Sequence, residues 1–156
     1  MTTCPLNTST SDAPRKIPVL SLATVQASSE AVGHPISLVF GEAYGPGAFH
    51  WRAAERGDQT VTVAFYQPAM IDRVIMDIEE CDETRTQEVQ LASSKDGGVT
   101  YRELVRQEFN FSPDGTTWEH EDWAVRQDQV THLRLVIKPD KRRTDVFATL
   151  TSLVLF

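Results

Sequence analysis

The sequence predicts an all-β fold, an antiparallel β-sandwich in one domain. Three observations predict it: short apolar runs that alternate with a period of two, tight-turn signals between them, and no long amphipathic helical pattern. A chain of 156 residues has room for one substantial core and none for a second domain.

Residues 1–16 hold Thr, Ser, Asn, Asp and two prolines with almost no large apolar side chains, so burial there cannot offset the entropy of ordering. They are expected to be a flexible tail, with the sandwich domain spanning 17–156. From Ile17 the run IPVLSLATVQASS reads as a first strand. Glu30 to Ala54 carries glycines, prolines and aromatics without clear period and reads as extended loops. Thr60 to Phe65 then alternates cleanly, placing Val61, Val63 and Phe65 on one face. Gln67-Pro68 is expected to break that strand, and Val74, Met76 and Ile78 resume the period before an acidic turn at 79–83.

Val89 and Leu91 open the next strand, and Ser93-Ser94-Lys95-Asp96-Gly97-Gly98 predicts a tight hairpin turn, because Asp-Gly and Gly-Gly supply positive φ. Tyr101 to Phe111 fits two periods. Tyr101, Leu104, Val105 and Glu108 suit a helix, while Phe109 and Phe111 suit a strand, the preferred reading. A second Asp-Gly turn at Asp114-Gly115 closes what reads as a long hairpin. Leu133, Leu135 and Ile137 mark a further strand. In the last run, Ala148 and Leu150 give way to Leu153 and Leu155 in the opposite phase, which predicts a bulge near Thr151-Ser152.

Composition narrows the partners. A hydrophobic share of 40% and a charged share of 24% are those of ordinary globular chains, which argues against disorder or a fibrous protein. The net charge of -7 disfavours nucleic acid, whose backbone it would repel. Lys138, Lys141, Arg142 and Arg143 form one basic cluster between apolar runs, read as a solvated loop. No stretch approaches the ~18 apolar residues of a membrane span. The two cysteines, Cys4 and Cys81, have no zinc spacing and are expected to be free thiols, and the protein is read as cytoplasmic.

Three pieces, in order, resemble the discoidin, or coagulation-factor type C, branch of the galactose-binding-like jelly rolls: ASSEA at 27–31, HWRAA at 50–54 followed by GDQTVTVAF at 57–65, and SSKDGGVTYREL at 93–104. FNFSPDGTTWEHEDW, VTHLRLVIKPDK and ATLTSLVLF are similar to bacterial stand-alone discoidin-like proteins, often carbohydrate-binding. They are similar also to the amino-terminal domain of the eukaryotic X-ray cross-complementing repair scaffold. The resemblance implies a jelly roll of the galactose-binding-like type, with the tryptophan of HWRAA plugging the core. Many sugar-binding relatives place an acidic residue in the last strand to help hold calcium, where this chain reads ATLTSLVL, so an inherited calcium site is not expected.

A sugar offers a C–H face and a rim of hydroxyls, so its site needs an aromatic platform beside polar side chains. The loop EAYGPGAFHWR, residues 42–52, has that mixture, with Tyr44, His50 and Arg52 as candidates; the alternative is a loop that merely packs on the sandwich. Trp118 and His120 share one face of a strand that also holds Glu119, Glu121, Asp122 and Trp123. Such a strip suits a protein partner or, alternatively, a half-buried edge strand. No nucleophile and base set and no phosphate-cradling glycine loop is present, and His34, His50, His120 and His132 have no metal spacing. Asp77, Glu79, Glu80, Asp82 and Glu83 offer oxygens for calcium but lack an EF-hand order. The function expected is a non-catalytic binding module for carbohydrate or a small polar ligand, without cofactor. The alternative is a protein-interaction scaffold.

Overall fold

The computed structural model describes residues 15–41, 47 and 50–156. Most of the expected tail, Cys4 and the candidate Tyr44 lie outside the described residues. Eight strands follow in chain order: β1 (Ala23–Ala27), β2 (Trp51–Arg56), β3 (Gln59–Glu79), β4 (Arg85–Ser94), β5 (Arg102–Phe111), β6 (Trp118–Lys138), β7 (Phe147–Leu150) and β8 (Ser152–Leu155). They pair antiparallel in the order β1-β3-β6-β4-β5, with β8 also on β3, while β2 pairs with β7.

β3 and β6 organise the fold because each serves twice. The first half of β3 lies between β1 and the second half of β6; its second half lies between β8 and the first half of β6. Between the halves the ladder slips three times, from Ala64 to Arg73, and on β6 the backbone turns left-handed at Arg126 and Gln129. Bulges of this kind bend a strand and raise its twist. Pro68 falls inside the slipped stretch. The expected break at Gln67-Pro68 is therefore corrected to a bend within one strand, since a proline costs no ladder bond where the ladder is already open.

Three other expectations change. In the IPVLSLATVQASS run only Ala23–Ala27 is strand; Val19–Leu22 is one helical turn whose Ser21 and Leu22 amides donate to Pro18 O at 3.0 and 3.2 Å. Within the presumed loop, Trp51 opens β2, with Trp51 and Ala53 buried and Arg52 and Ala54 exposed. The Asp114-Gly115 turn joins no hairpin either, because β5 pairs with β4 whereas β6 starts against the end of β3. An Asp-Gly pair reverses the chain without specifying which strand the next one joins.

Elsewhere the periodicity holds. Val61, Val63, Val74, Met76, Ile78, Val89, Leu91, Leu133, Leu135 and Ile137 are all buried, and the last run breaks at Thr151, keeping Ala148, Leu150, Leu153 and Leu155 inside. The segments carrying the resemblance knit together. Trp51 is fully buried and donates from Nε1 to Ser29 O at 2.9 Å, while Ser28 and Ser29 hydroxyls donate to Gln59 Oε1 at 2.6 and 2.7 Å. The Ser29 hydroxyl also accepts from the Ala54 and Glu55 amides.

The β4–β5 hairpin is closed as expected, with Gly97 and Gly98 at φ of 77° and 85°. Asp96 ties it: Oδ1 accepts from the Ser94 hydroxyl and the Thr100 amide at 2.7 and 2.9 Å, and Oδ2 from the Thr100 hydroxyl at 2.5 Å. These bonds, Thr100's first, hold the carboxyl down at about 2. A depressed folded value means that the turn's support is complete above the unfolded carboxyl value of about 3.9 and is lost as pH falls through 2. The Thr100 amide should accordingly lose hydrogen-exchange protection between about pH 4 and pH 2, and Asp96→Asn should abolish that step.

Candidate functional site

A polar cleft forms where β2 and β7 meet the acidic turn after β3. Arg52 and Arg56 of β2 are opposite Thr149 and Phe147 of β7, and the ladder slips between them. Their guanidinium carbons lie 5.0 and 5.4 Å from the Phe147 ring centroid, within cation–π range. The floor is Arg85, the first residue of β4, in phase with Val89 and Leu91 and so turned inward. Its Nη1 donates to Phe147 O at 2.8 Å and its Nη2 pairs with Glu80. Burial lowers the Arg85 pKa to about 10, with Asp140 acting against the fall, so the group remains a cation at neutral pH.

Glu80 also accepts from the Asp82 and Glu83 amides at 2.9 and 3.1 Å, which folds the acidic turn around the cleft. On the rim Arg143 takes Glu83 and Asp140 at 3.2 Å. Among the described residues Arg52 and Arg56 have no ion-pair partner, so their donors face a hollow of about 270 Å³. Below them Arg85 Nε and Thr149 Oγ1 are buried without a hydrogen-bond partner, as are both amide atoms of Gln87, the next inward side chain on β4. Buried polar atoms are nearly always paired. Of these, Arg85 Nε and Thr149 Oγ1 belong to residues that line the cleft, which thus has two buried polar atoms without a partner among the described residues.

The five candidate residues part company. Tyr44 falls outside the described residues, and Arg52 lines the cleft. His50 sits beside His34, the ring centroids 4.9 Å apart, and its carbonyl accepts from His34 Nδ1 at 2.8 Å. Trp118 is half-buried at the start of β6, opposite Glu79. His120 lies two residues on, exposed, with Nδ1 2.5 Å from Asp77 Oδ1. Trp123 points to the other face, packs on the core and donates to Gln107 Oε1 at 3.0 Å. The Trp118-to-Trp123 segment is thus no continuous aromatic face: it is a half-buried strand paired on one side only, with β3.

Four of the five acids of 77–83 have protein partners, Asp77 with His120, Glu79 with the Gly47 amide, Glu80 with Arg85 and Glu83 with Arg143. Among the described residues no group of three or more His, Cys, Asp or Glu is placed to hold a metal ion. Two members of the basic cluster are engaged, Lys141 with Glu88 and Glu108 and Arg143 with Asp140. Cys81 is a free, exposed thiol, and among the described residues no helix is long and apolar enough to cross a membrane.

No protein-family model matches the sequence, and no curated protein does. Solved structures match along most of the chain. A family 32 carbohydrate-binding module of Clostridium perfringens, in complex with GalNAc-β-1,3-galactose, superposes with a TM-score of 0.62 at 17% identity, over 91% of this chain and 99% of that one. A second, from a family 31 glycoside hydrolase of the same organism, gives 0.65 at 13% over 90% and 94%. A third, from C. perfringens NanJ with galactose, gives 0.61 at 14% over 90% and 96%. The chain has the carbohydrate-binding-module jelly-roll fold.

Such modules are galactose-binding-like, or discoidin-like, domains, as the ASSEA, HWRAA and SSKDGGVTYREL motifs implied. On this jelly roll Arg56, Phe147 and Arg85 join Arg52, and the sequence reading had missed all three. A signal existed for Arg56, which repeats the phase of Arg52 once β2 is read through to its end. Arg85 shares the phase of Val89 and Leu91. Phe147 carried none, since only the β2–β7 pairing brings it beneath two arginines.

Proposed function

We propose that the chain is a non-catalytic carbohydrate-binding module whose sugar site is the cleft of Arg52, Arg56, Phe147 and Arg85. The observation that carries this is the pair of guanidiniums without ionic partners among the described residues, held against an aromatic ring over buried polar atoms that have none either. Planar guanidinium forks donate two parallel hydrogen bonds to vicinal hydroxyls or to a carboxylate, and the latter bond is the stronger. The ligand favoured is therefore a saccharide that bears a carboxylate, such as a uronic acid, ahead of a neutral one. Glu80, Glu83 and the buried Arg85 are fixed in one another's hydrogen bonds, which suits a rigid binding floor.

Calorimetry against a panel of neutral and uronic acid oligosaccharides tests the reading. Arg52→Ala is expected to weaken uronate binding about tenfold or more, the worth of a hydrogen bond to a charged group, while leaving the melting temperature unchanged because Arg52 is exposed. Affinity should also fall as salt rises from 50 to 500 mM. Absence of binding to every sugar in the panel would remove the proposal.

A further inference from the structure

The structure assigns a second ligand site, distinct from the arginine cleft, on the outer face of the sheet where β8, β3 and β6 run side by side: a pocket for one pyranose ring. Two rows of side chains build it. Asp77 of β3 is directly opposite both Ser152 of β8 and His120 of β6, so these three form one polar row. Two residues back along β3, on the same face, Ile75 is opposite Val154, and Phe156 follows as the chain leaves β8. With Lys16 and Gly41 at its margin, these six side chains line a hollow of about 300 Å³.

The polar row has unused capacity. The Asp77 side chain is only 4% exposed, and its Oδ1 accepts from His120 Nδ1 at 2.5 Å. A carboxylate can only accept, so Nδ1 carries the proton in that bond, and Nε2 is left for a ligand hydroxyl. Ser152 is 1% exposed, and its hydroxyl has no partner among the described residues. A buried hydroxyl left unpaired costs free energy unless something entering the hollow satisfies it.

Serine, aspartate and histidine together also suggest a hydrolytic triad, and the strand order decides against it. Asp77 is in the middle strand, between Ser152 and His120, whereas a triad needs the histidine between the serine and the acid. The Ser152 hydroxyl makes no hydrogen bond among the described residues, so it has no base. What the row can do is present a carboxylate, an imidazole nitrogen and a hydroxyl side by side, next to the methyls of Ile75 and Val154 and the ring of Phe156. A pyranose has the matching halves, hydroxyls along one edge and C–H bonds on a face. The hollow is at the small end of ligand pockets, roughly 300–1,000 Å³, and so admits one ring.

This site shares no residue with the arginine cleft, so the two stand or fall separately. The test is an NMR titration of the whole chain with methyl β-galactopyranoside and methyl β-glucopyranoside, repeated on Ser152→Ala, His120→Ala and Arg52→Ala. Ser152→Ala removes an unpaired buried hydroxyl and His120 is exposed, so both variants should fold. The expected result is saturable shifts at the amides of Asp77, His120, Val154 and Phe156 with at least one of the two sugars, at least tenfold weaker in His120→Ala and Ser152→Ala and unchanged in Arg52→Ala. Shifts absent from this face with both sugars, or insensitive to His120→Ala and Ser152→Ala, would overturn it.

Discussion

Trp51→Ala should lower the unfolding free energy by about 3–5 kcal/mol, the usual cost of truncating a buried aromatic to alanine. Trp51 has no exposed surface and belongs to the core cluster with Val61, Val63 and Leu150. It also ties two distant segments, since its indole N–H reaches Ser29 O and Ser29 in turn holds the Ala54 and Glu55 amides. A domain of this size has roughly 5–15 kcal/mol in all, so the variant should be only marginally folded at 37 °C. Urea unfolding followed by tyrosine and far-ultraviolet signals measures the loss. Trp51→Phe separates the two contributions: it keeps most of the ring but leaves Ser29 O without its donor, for an expected loss of about 1–3 kcal/mol. A Trp51→Ala protein as stable as the parent would contradict the placement of the ring in the core.

Glu80→Ala is the second large effect, expected to cost about 3–5 kcal/mol, because it strands the Arg85 guanidinium in the interior without its counter-ion. The Arg85 side chain is 1% exposed and that of Glu80 9%, so solvent screening does little to soften the loss. The same substitution takes away the acceptor of the Asp82 and Glu83 amides and should loosen the acidic turn. Replacing both partners, Glu80→Leu with Arg85→Met, should recover most of the stability, as buried ion pairs exchanged for apolar side chains of similar volume often do. Sugar binding should remain lost in the double variant, since Arg85 is part of the floor. Stability restored without binding would mark the pair as serving the site and not the fold.

Much of the fold was legible in the sequence because strand burial has a period of two and each residue reports its own side. Val61, Val63, Val74, Met76 and Ile78 were readable as core, as was the phase change at Thr151, without knowing what lay across from them. The Asp96-Gly97-Gly98 hairpin was legible for a local reason as well, since left-handed backbone favours glycine. β2 was missed because Trp51 and Ala53 form too short an alternation to rise above the glycines and prolines before them. The Pro68 and Asp114-Gly115 readings went wrong at the same point: both residue signals are local, and whether a strand ends or bends there depends on its neighbour's ladder.

The sequence by itself determined that this chain builds antiparallel strands with one wet and one dry side, while the buried place of Trp51 was implied by the family resemblance of HWRAA and not by periodicity. Only the tertiary structure decided that Arg56, Phe147 and Arg85 surround Arg52, and that Ser152, Asp77 and His120 lie in a single row. The physical reason is that alternation is set by the backbone of each strand alone. Strand order is set by how all the dry faces close on one core, and no stretch of residues carries that information.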